Sequence, residues 1–363
     1  MTWRRVILGV SILAIFVLSA ATAHAFSIKQ EIDLGKTSSQ EVEKEMPLSK
    51  NKKWQDDIAA MGKRFIPFLK RKEIPYHFAI VTDKEDTINA FSLPGGYVYF
   101  TEHMWKILTP DERAAVMAHE IEHSDQRHAV DEMLKSQQRM LWTLPLVVLS
   151  GGVAGVGEAA MWGNILVDAR YSRKMERQAD ELGIDLDRRA GFNPAGMVTA
   201  MKKLLSIETD INRYEVSSIF MDHPDTLKRV EYLTQAAIAM GVKPEDLELK
   251  KVEDPSRLGN ITKKSVDLDV MYARLAEPVS YGDRLAIKKM LWDDDKQALA
   301  PKTVAIATVL TPGRFPALVL ASHIDYNFSD VMIGDGVYPA PPPAPVAPFT
   351  PQPPAGEKKT VKF

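Results

Sequence analysis

The chain has 363 residues, of which 45% are hydrophobic and 26% are charged, and its formal net charge at pH 7 is −2. This near-neutral balance argues against a nucleic-acid-binding protein, and the length is sufficient for a catalytic domain with a core plus a smaller unit. Because the chain contains no cysteine, it can form neither disulfides nor a lipoprotein attachment.

The first 25 residues have the features of a secretory signal peptide. Arg4 and Arg5 precede an apolar run, and Ala23 and Ala25 provide the small residues of a cleavage site, so we predict cleavage after Ala25. The apolar run is nearly long enough to cross a bilayer, and an uncleaved N-terminal membrane anchor is therefore the alternative. We expect an exported, periplasmic protein that is soluble or peripheral to the membrane.

Residues 27–69 are predicted to form helices, and a hairpin is predicted over residues 88–101. Residues 88–92 and 97–101 have the composition of short strands, and the glycines of Leu93-Pro94-Gly95-Gly96 allow the turn between them. An edge strand can bind an extended peptide as an added strand, whereas a plain core hairpin is the alternative. Core-facing apolar residues recur at helical spacing before the hairpin, and they are Trp54, Ile58, Met61, Phe65 and Leu69.

A capped helix is predicted to begin at Thr109. Thr109 supplies the N-cap, Pro110 occupies the first helical position and Glu112 completes a capping box. His119 and His123 follow one turn apart on the same face, so both imidazoles can bind a single ion. His-Glu-x-x-His also occurs by chance in ordinary helices, and a third ligand is needed to distinguish a zinc site from such a helix.

Two further side chains of this helix are assigned different roles. Glu120 points about a quarter turn away from His119, outside the ligand set but close enough to hydrogen-bond a metal-bound water, which is the geometry of a general base. His128 lies five residues past His123, about 140° further around the helix. We therefore expect His128 to face away from the site as a structural or surface residue.

Residues 141–166 form a long apolar segment that suggests a membrane span. Pro145 and several glycines interrupt the segment, and Glu158 places a charge within it. We favour a hydrophobic helical hairpin that flanks the cleft and offers a surface to a membrane or a partner, over a transmembrane helix.

Residues 171–194 are predicted to form a second helix, closed by Gly191. Glu176 and Asp180 are four residues apart on one face, a spacing at which like charges destabilise a helix unless a cation lies beside them. Glu176 is thus the predicted third zinc ligand, and Asp180 is predicted to accept the free ring N–H of one histidine. The alternative is a solvated helix face whose acids are neutralised by Arg173, Lys174 and Arg177.

Four motifs carry a resemblance to a known family. NAFSLPGGYVYFT, HEIEH, SRKMERQAD and DHPDTLKR occur in the order found in the HtpX and CAAX-prenyl-protease type of zinc metallopeptidase. The resemblance covers about residues 30–240, and the layout is similar to that of the soluble periplasmic, BepA/LoiP-like branch. It implies a gluzincin peptidase in which His119, His123 and Glu176 bind one Zn²⁺ per chain and Glu120 activates the water.

The resemblance also implies roles for residues that spacing alone leaves ambiguous. His223 and Arg229 correspond to a histidine and an arginine that the family places near the reacting carbonyl, and both are thus predicted to be catalytic residues that stabilise the tetrahedral oxyanion. A local ion pair with the acid four residues earlier is the alternative for Arg229. Asn89, Ala90 and Phe91 correspond to the strand that binds substrate.

The resemblance ends at about residue 240, and the helical repeats of related proteins have no counterpart here. KTVAIATVL and FPALVLASHI are predicted strands, and YGDRLAIKKMLW, residues 281–292, is predicted to be a short helix. Residues 246–338 are thus expected to form a small mixed domain of unknown role. Residues 339–363 are rich in proline and are predicted to be an extended, disordered tail.

The predicted fold class is α+β. A mainly helical zincin-type metallopeptidase domain, residues 26–245, would contain a small β-sheet with an edge hairpin, followed by the small mixed region and the tail. The predicted function is zinc-dependent endopeptidase activity on misfolded or misassembled envelope proteins. The expected partners are unfolded or misassembled protein substrates, together with a peripheral contact to the membrane or an envelope complex. The alternative is a metal-stabilised chaperone or outer-membrane assembly factor with a latent zinc site. No nucleic-acid partner is expected.

Overall fold

The computed structural model describes residues 26–135, 171–208, 226–322 and 326–341. These residues form an α+β structure with helices and a small sheet in the N-terminal part and a β-barrel in the C-terminal part. Within the described residues, none of the helices is both long and apolar enough to cross a membrane.

The described residues divide into two compact units. The first unit comprises those up to Val252 together with Leu291–Ala300, and the second comprises Glu253–Met290 and those from Pro301 onward. The sequence prediction placed one division after residue 245. The structure adds a return of the chain to the first unit at Leu291–Ala300.

Side-chain caps set the starts of several helices of the first unit. A residue before each helix accepts a hydrogen bond from a backbone N–H of the first turn, which satisfies a group that has no partner inside the helix. These N-cap residues are Ser27, Asn51, Thr101, Thr109 and Ser172. The helices are α1 (Ile28–Glu45), α2 (Lys52–Phe65), α3 (Glu102–Ile107), α4 (Pro110–Asp125), α5 (Arg173–Arg189), α6 (Ala195–Glu208) and α7 (Thr226–Ala239).

A three-stranded sheet accompanies these helices. Strand β3 (Tyr97–Thr101) lies in the centre, with β1 (His77–Val81) parallel to it and β2 (Ala90–Leu93) antiparallel to it. The predicted hairpin is confirmed, and its turn places Gly95 and Gly96 at φ 73° and 85°, which favours glycine. Strand β2 therefore lies at an edge of the sheet.

Helix α4 runs through the core of the first unit. It packs against α5, α6, β2 and β3, and every residue from Ala114 to Asp125 is buried. The apolar residues predicted to face the core do so, since Ile58, Phe65 and Leu69 are buried and Trp54 and Met61 pack against them. A helix buried on all sides positions its polar side chains in the protein interior, where they need partners.

Most residues of a closed six-stranded barrel belong to the second unit, whereas residues 291–293 and 298–300 of its strands belong to the first. Neighbouring strands in the barrel follow the order β4-β5-β8-β7-β6-β9, and β9 closes it by pairing with β4. The strands are β4 (Gly259–Ser265), β5 (Val270–Leu275), β6 (Arg284–Asp293), β7 (Ala298–Val309), β8 (Ala317–Leu320) and β9 (Gly336–Pro339).

The short helix predicted over residues 281–292 is wrong, because most of this segment is strand β6. The local spacing of its apolar residues is compatible with a helix. Pairing with its two neighbouring strands instead supplies its backbone hydrogen bonds, and with β9 the register runs from Leu285 opposite Pro339 to Lys288 opposite Gly336. Pairing with other strands decides whether such a short apolar run forms a helix or a strand.

Several sequence predictions concern residues outside those that the structure describes. They are the signal peptide at residues 1–25, the apolar segment at 141–166, and the tail from residue 342 onward. The tail was predicted to begin at residue 339, but Pro339 is the last residue of β9.

Candidate metal centre

The first turn of α4 fixes where the HEIEH segment enters the core. Thr109 accepts from the backbone N–H of Glu112, and the Glu112 carboxylate accepts from the N–H of Thr109 at 2.8 Å, which confirms the predicted capping box. His119 and His123, two and three turns further along, are 3% and 0% exposed. Both imidazoles are therefore held inside the protein.

Helix α5 carries a glycine, Gly183, where it packs against the backbone of α4. A Cβ at Gly183 would lie 3.2 Å from both the Cα and the N of His119, which is tighter than most real contacts. The missing side chain thus lets the two backbones meet at the first histidine. This close approach brings Glu176, about two turns earlier on α5, to the same region as His119.

Three potential ligand atoms converge at this contact. The Nε2 atoms of His119 and His123 lie 3.0 Å apart, and the Glu176 carboxylate lies 3.3 Å from His123 Nε2 and 3.7 Å from His119 Nε2. All three residues are buried, and their ligand atoms lie within 4.8 Å of one another. Among the described residues, no other group of three such side chains converges in this way.

Asp180 and Arg229 lie directly behind the ligand set. His119 Nδ1 is 2.9 Å from Asp180 Oδ1, on the opposite side of the ring from Nε2. Arg229 donates to both oxygens of Asp180 at 2.8 Å, and its Nη1 is 3.2 Å from Glu176 Oε2. Tyr232 also donates to Asp180. All three guanidinium nitrogens of Arg229 thus face carboxylates.

The charges of this group stabilise one another. Burial by itself would raise the pKa of Asp180, but the guanidinium of Arg229 and the contact with His119 hold it below its ordinary value. Burial likewise disfavours the charged form of Arg229, and Asp180 and Glu176 overcome this and raise its pKa. Asp180 is therefore an ionised acceptor for the ring N–H of His119.

His128 is close to the site, and the prediction that it faces away is wrong. Helix α4 ends at Asp125, and Arg127 adopts φ 64° before helical structure resumes at residue 128. This break turns His128 back, so that its Nδ1 lies 3.0 Å from Nδ1 of His123. Burial lowers the pKa of the His128 ring. A structural role for His128 is compatible with this buried position, but its ring points toward the metal centre and not away from it.

Tyr171 is a second neighbour that the sequence did not reveal. Its ring stacks on His123 with centroids 4.0 Å apart and planes at 26°. Tyr171 directly precedes the N-cap Ser172 of α5, so the start of that helix packs on a candidate ligand of α4. No motif signals this contact, because it depends on how two helices separated in sequence meet.

The other residues predicted for the site are the general base, the substrate-binding strand and His223. Glu120 follows His119 on α4 and is 1% exposed. Asn89 bonds through its backbone to Thr101, and Ala90 and Phe91 belong to the buried edge strand β2. Phe91 also stacks on Tyr99, as expected for a core hairpin. His223 lies outside the described residues.

The residues present fit a metal ion. Two imidazole nitrogens and one carboxylate form a donor set that zinc accepts, and the second ring nitrogen of each histidine has a partner, Asp180 for His119 and His128 for His123. Each ring can therefore keep its proton on Nδ1 and present the lone pair of Nε2 to the ion.

Comparison with known proteins agrees with this geometry. Residues 52–237 match peptidase family M48, and metallopeptidases of that family contain a metal cofactor. The chain is 26% identical over 334 residues to the beta-barrel assembly-enhancing protease of Escherichia coli K12, which covers 85% of this chain and 65% of that protein.

Two further relatives match shorter parts of the chain. The metalloprotease LoiP of Escherichia coli K12 is 29% identical over 175 residues, which is 47% of this chain and 66% of LoiP. The mitochondrial metalloendopeptidase OMA1 of Saccharomyces cerevisiae is 29% identical over 197 residues, which is 52% of this chain and 53% of OMA1. The chain thus spans between about half and two thirds of the length of these relatives.

Proposed function

We propose that this chain, which belongs to peptidase family M48, is a zinc-dependent endopeptidase of the bacterial envelope. The observation that carries the proposal is the convergence of His119, His123 and Glu176 at the contact between α4 and α5. Relatives named as metalloproteases support the same activity.

The three ligand residues hold the ion, and the neighbouring residues carry out the proton transfers. When bound, zinc supplies a Lewis acid that polarises the scissile carbonyl and makes water a better nucleophile at neutral pH. Glu120, next to His119 on the buried helix, accepts the proton of the attacking water and passes it to the leaving amine. Its burial keeps competing solvent away from this carboxylate.

Asp180 and Arg229 position the ligands. Asp180 holds His119 with its proton on Nδ1, and Arg229 keeps both Asp180 and Glu176 in place by contacting the two carboxylates. Arg229 was predicted to stabilise the oxyanion, and its three occupied nitrogens favour a positioning role. His223 remains the proposed donor to the oxyanion.

Strand β2 is the proposed binding site for the substrate backbone. Residues Asn89, Ala90 and Phe91 lead into or form this edge strand, which packs against α4. An extended peptide that adds to the edge would lie beside the metal centre. Such binding uses backbone hydrogen bonds and therefore suits unfolded chains of varied sequence.

The proposed substrates are misfolded or misassembled envelope proteins. The support comes from the predicted signal peptide at residues 1–25 and from the relative named a beta-barrel assembly-enhancing protease. We propose that the mature protein begins at Phe26 in the periplasm, where it contacts the membrane or an envelope complex peripherally.

A second candidate function is that of an assembly factor in which the metal is structural or latent. The burial of all three ligand residues, each at most 3% exposed, favours this candidate because structural zinc sites are closed. An enzyme of this kind would need to open the site before a substrate could reach the ion.

Replacement of the proposed general base separates the two candidates. Glu120→Gln preserves the size of the side chain and leaves the ligand residues intact, so zinc content and thermal stability should be retained. Cleavage of unfolded casein should fall by about a hundredfold or more, since general base catalysis contributes on that order.

His123→Ala is the matched control, because it should lose zinc as well as cleavage. Wild-type cleavage by Glu120→Gln would contradict the proposed mechanism even if zinc is bound. If neither the wild type nor Glu120→Gln cleaves casein, and Glu120→Gln fully complements a deletion strain, the assembly-factor candidate is correct.

A further inference from the structure

The ring of His123 has a partner on the side that faces away from the metal centre. Its Nε2 lies beside His119 and Glu176, whereas its Nδ1 lies 3.0 Å from Nδ1 of His128. His128 is only 2% exposed and is turned toward His123 by the positive φ of Arg127. The contact is thus built into the backbone at the end of α4.

The chemistry of ligation fixes the proton positions in this pair. A histidine that binds a metal through Nε2 carries its proton on Nδ1, so His123 must donate to His128. His128 Nδ1 must then be the acceptor, and its own proton lies on Nε2. That atom is 3.3 Å from Gln178 Oε1, which accepts it.

The hydrogen bonds continue from Gln178 to a buried carboxylate. Gln178 Nε2 donates to Gln126 Oε1 at 3.3 Å, and Gln126 Nε2 donates to Glu122 Oε2 at 2.9 Å. Every N–H in the series therefore points away from the metal centre. Each amide accepts through its oxygen on the side of the metal centre and donates through its nitrogen on the side of Glu122. The series ends at the carboxyl group of Glu122, which in its ionised form accepts hydrogen bonds and donates none.

The two metal-binding imidazoles are consequently oriented in different ways. His119 contacts a carboxylate, Asp180, directly, whereas His123 contacts the neutral ring of His128, which is supported in turn by neutral amides. Gln178 belongs to α5, the helix that also provides Glu176. The series therefore ties the α4 ligand His123 to the helix of the third ligand.

We propose that His128 and Gln178 are positioning residues that fix the ring of His123 for metal binding. This inference rests on the proposed zinc site. His128 serves as the acceptor for His123, and Gln178 holds His128 in the tautomer that accepts. Partners of this kind typically change metal affinity by 10- to 100-fold when they are removed.

Zinc affinity, measured by competition with a chromogenic chelator, tests the proposal. His128→Leu removes the acceptor and should weaken zinc binding by at least about tenfold. His128→Asn places an amide oxygen near the position of Nδ1 and should recover most of the affinity. Gln178 is exposed, so Gln178→Ala should fold normally and weaken binding by severalfold, whereas the control Lys174→Ala on the same helix should not.

Nitrogen NMR of the zinc-loaded wild type provides a readout that simple packing would not affect. His128 should be the neutral Nε2–H tautomer and His123 the Nδ1–H tautomer. The Nδ1–H tautomer at His128, or wild-type zinc affinity in both His128→Leu and Gln178→Ala, would overturn the inference. If the wild type itself binds no zinc, the proposed function fails first, and the two failures are thereby distinguished.

Discussion

The guanidinium of Arg229 joins two carboxylates of one helix, Glu176 and Asp180 of α5. A buried charge pair of this kind is strongly destabilised when one partner is removed, because the other charge is left without compensation. Here one carboxylate belongs to Glu176, a proposed zinc ligand. The other belongs to Asp180, which accepts the ring N–H of His119, a second proposed ligand. Arg229 therefore affects both the stability of the protein and the geometry of the site.

Arg229→Met should lower the free energy of unfolding by about 3–5 kcal/mol, since it removes the cation that compensates two buried carboxylates. Zinc affinity should fall as well, because Asp180 would no longer be held against His119. Chemical denaturation and chelator competition measure the two effects. Lys228→Met, at an exposed neighbouring position, is the control and should change neither.

The outcome also decides between the two roles considered for Arg229. A variant with wild-type zinc affinity and greatly reduced kcat would support stabilisation of the oxyanion, as predicted for the family. Loss of zinc affinity together with stability would support positioning. His223→Ala should give the first pattern, since its proposed contact forms mainly in the transition state.

At the scale of elements, the site depends on the distance between α4 and α5. Glu176 is carried by α5, and His119 and His123 are carried by α4, so any separation of the helices separates the ligands. Gly183 permits the observed distance, because a Cβ there would press on the backbone of His119. Backbone atoms cannot move aside as a flexible side chain can.

Gly183→Ala should therefore weaken zinc binding even though alanine is the better helix former by about 1 kcal/mol. Zinc affinity and thermal unfolding of the metal-free protein are the measurements. Glu181→Ala, on the exposed face of the same helix, controls for changes in helix propensity. Higher stability with unchanged zinc affinity would show that the helices adjust without moving the ligands.

At the scale of the whole molecule, the chain leaves the first unit at Val252 and returns to it at Leu291–Ala300. Leu299 exchanges backbone hydrogen bonds with Lys250 and Val252, and Trp292 is a buried member of the core of the first unit. Lys203 lies 4.0 Å from the centroid of the Trp292 ring. The first unit is therefore not continuous in sequence.

Lys203 connects this returning segment to the first turn of α4. Its Nζ donates to Glu112, the residue that completes the capping box of α4. Trp292 thus packs on the cation that pairs with the cap of the metal-binding helix. A peptidase fragment that ended at residue 245 would lack Trp292 and the strand residues around it.

Trp292→Ala should destabilise the first unit by about 3–5 kcal/mol, the usual cost of truncating a large buried aromatic side chain. Limited proteolysis should show earlier cleavage within the first unit, and the fragment 26–245 should be similarly labile. Tyr281→Ala, at a side chain that is 74% exposed in the second unit, is the matched control. A fragment 26–245 as stable as the intact protein would contradict this prediction.

The sequence by itself determined the α+β class and the capped helix α4, because capping and periodicity are local properties. It also predicted the hairpin turn, since the backbone of the turn requires glycine. The convergence of His119, His123 and Glu176 was predicted as well. The first two are one helical turn apart, and the third followed from the unfavourable pairing of two acids on one helix face.

Only the tertiary structure decided the partners of these residues. The left-handed backbone at Arg127 breaks the helix, although neither Gln126 nor Arg127 is a residue type that signals a break, and so the helical angle placed His128 wrongly. Strand β6 was mistaken for a helix because its apolar spacing is compatible with both structures, and its pairing with β7 and with β9, about 50 residues later, decides for the strand. Contacts between distant segments, such as Arg229 with Asp180 and Trp292 with Lys203, depend on packing that no local pattern encodes.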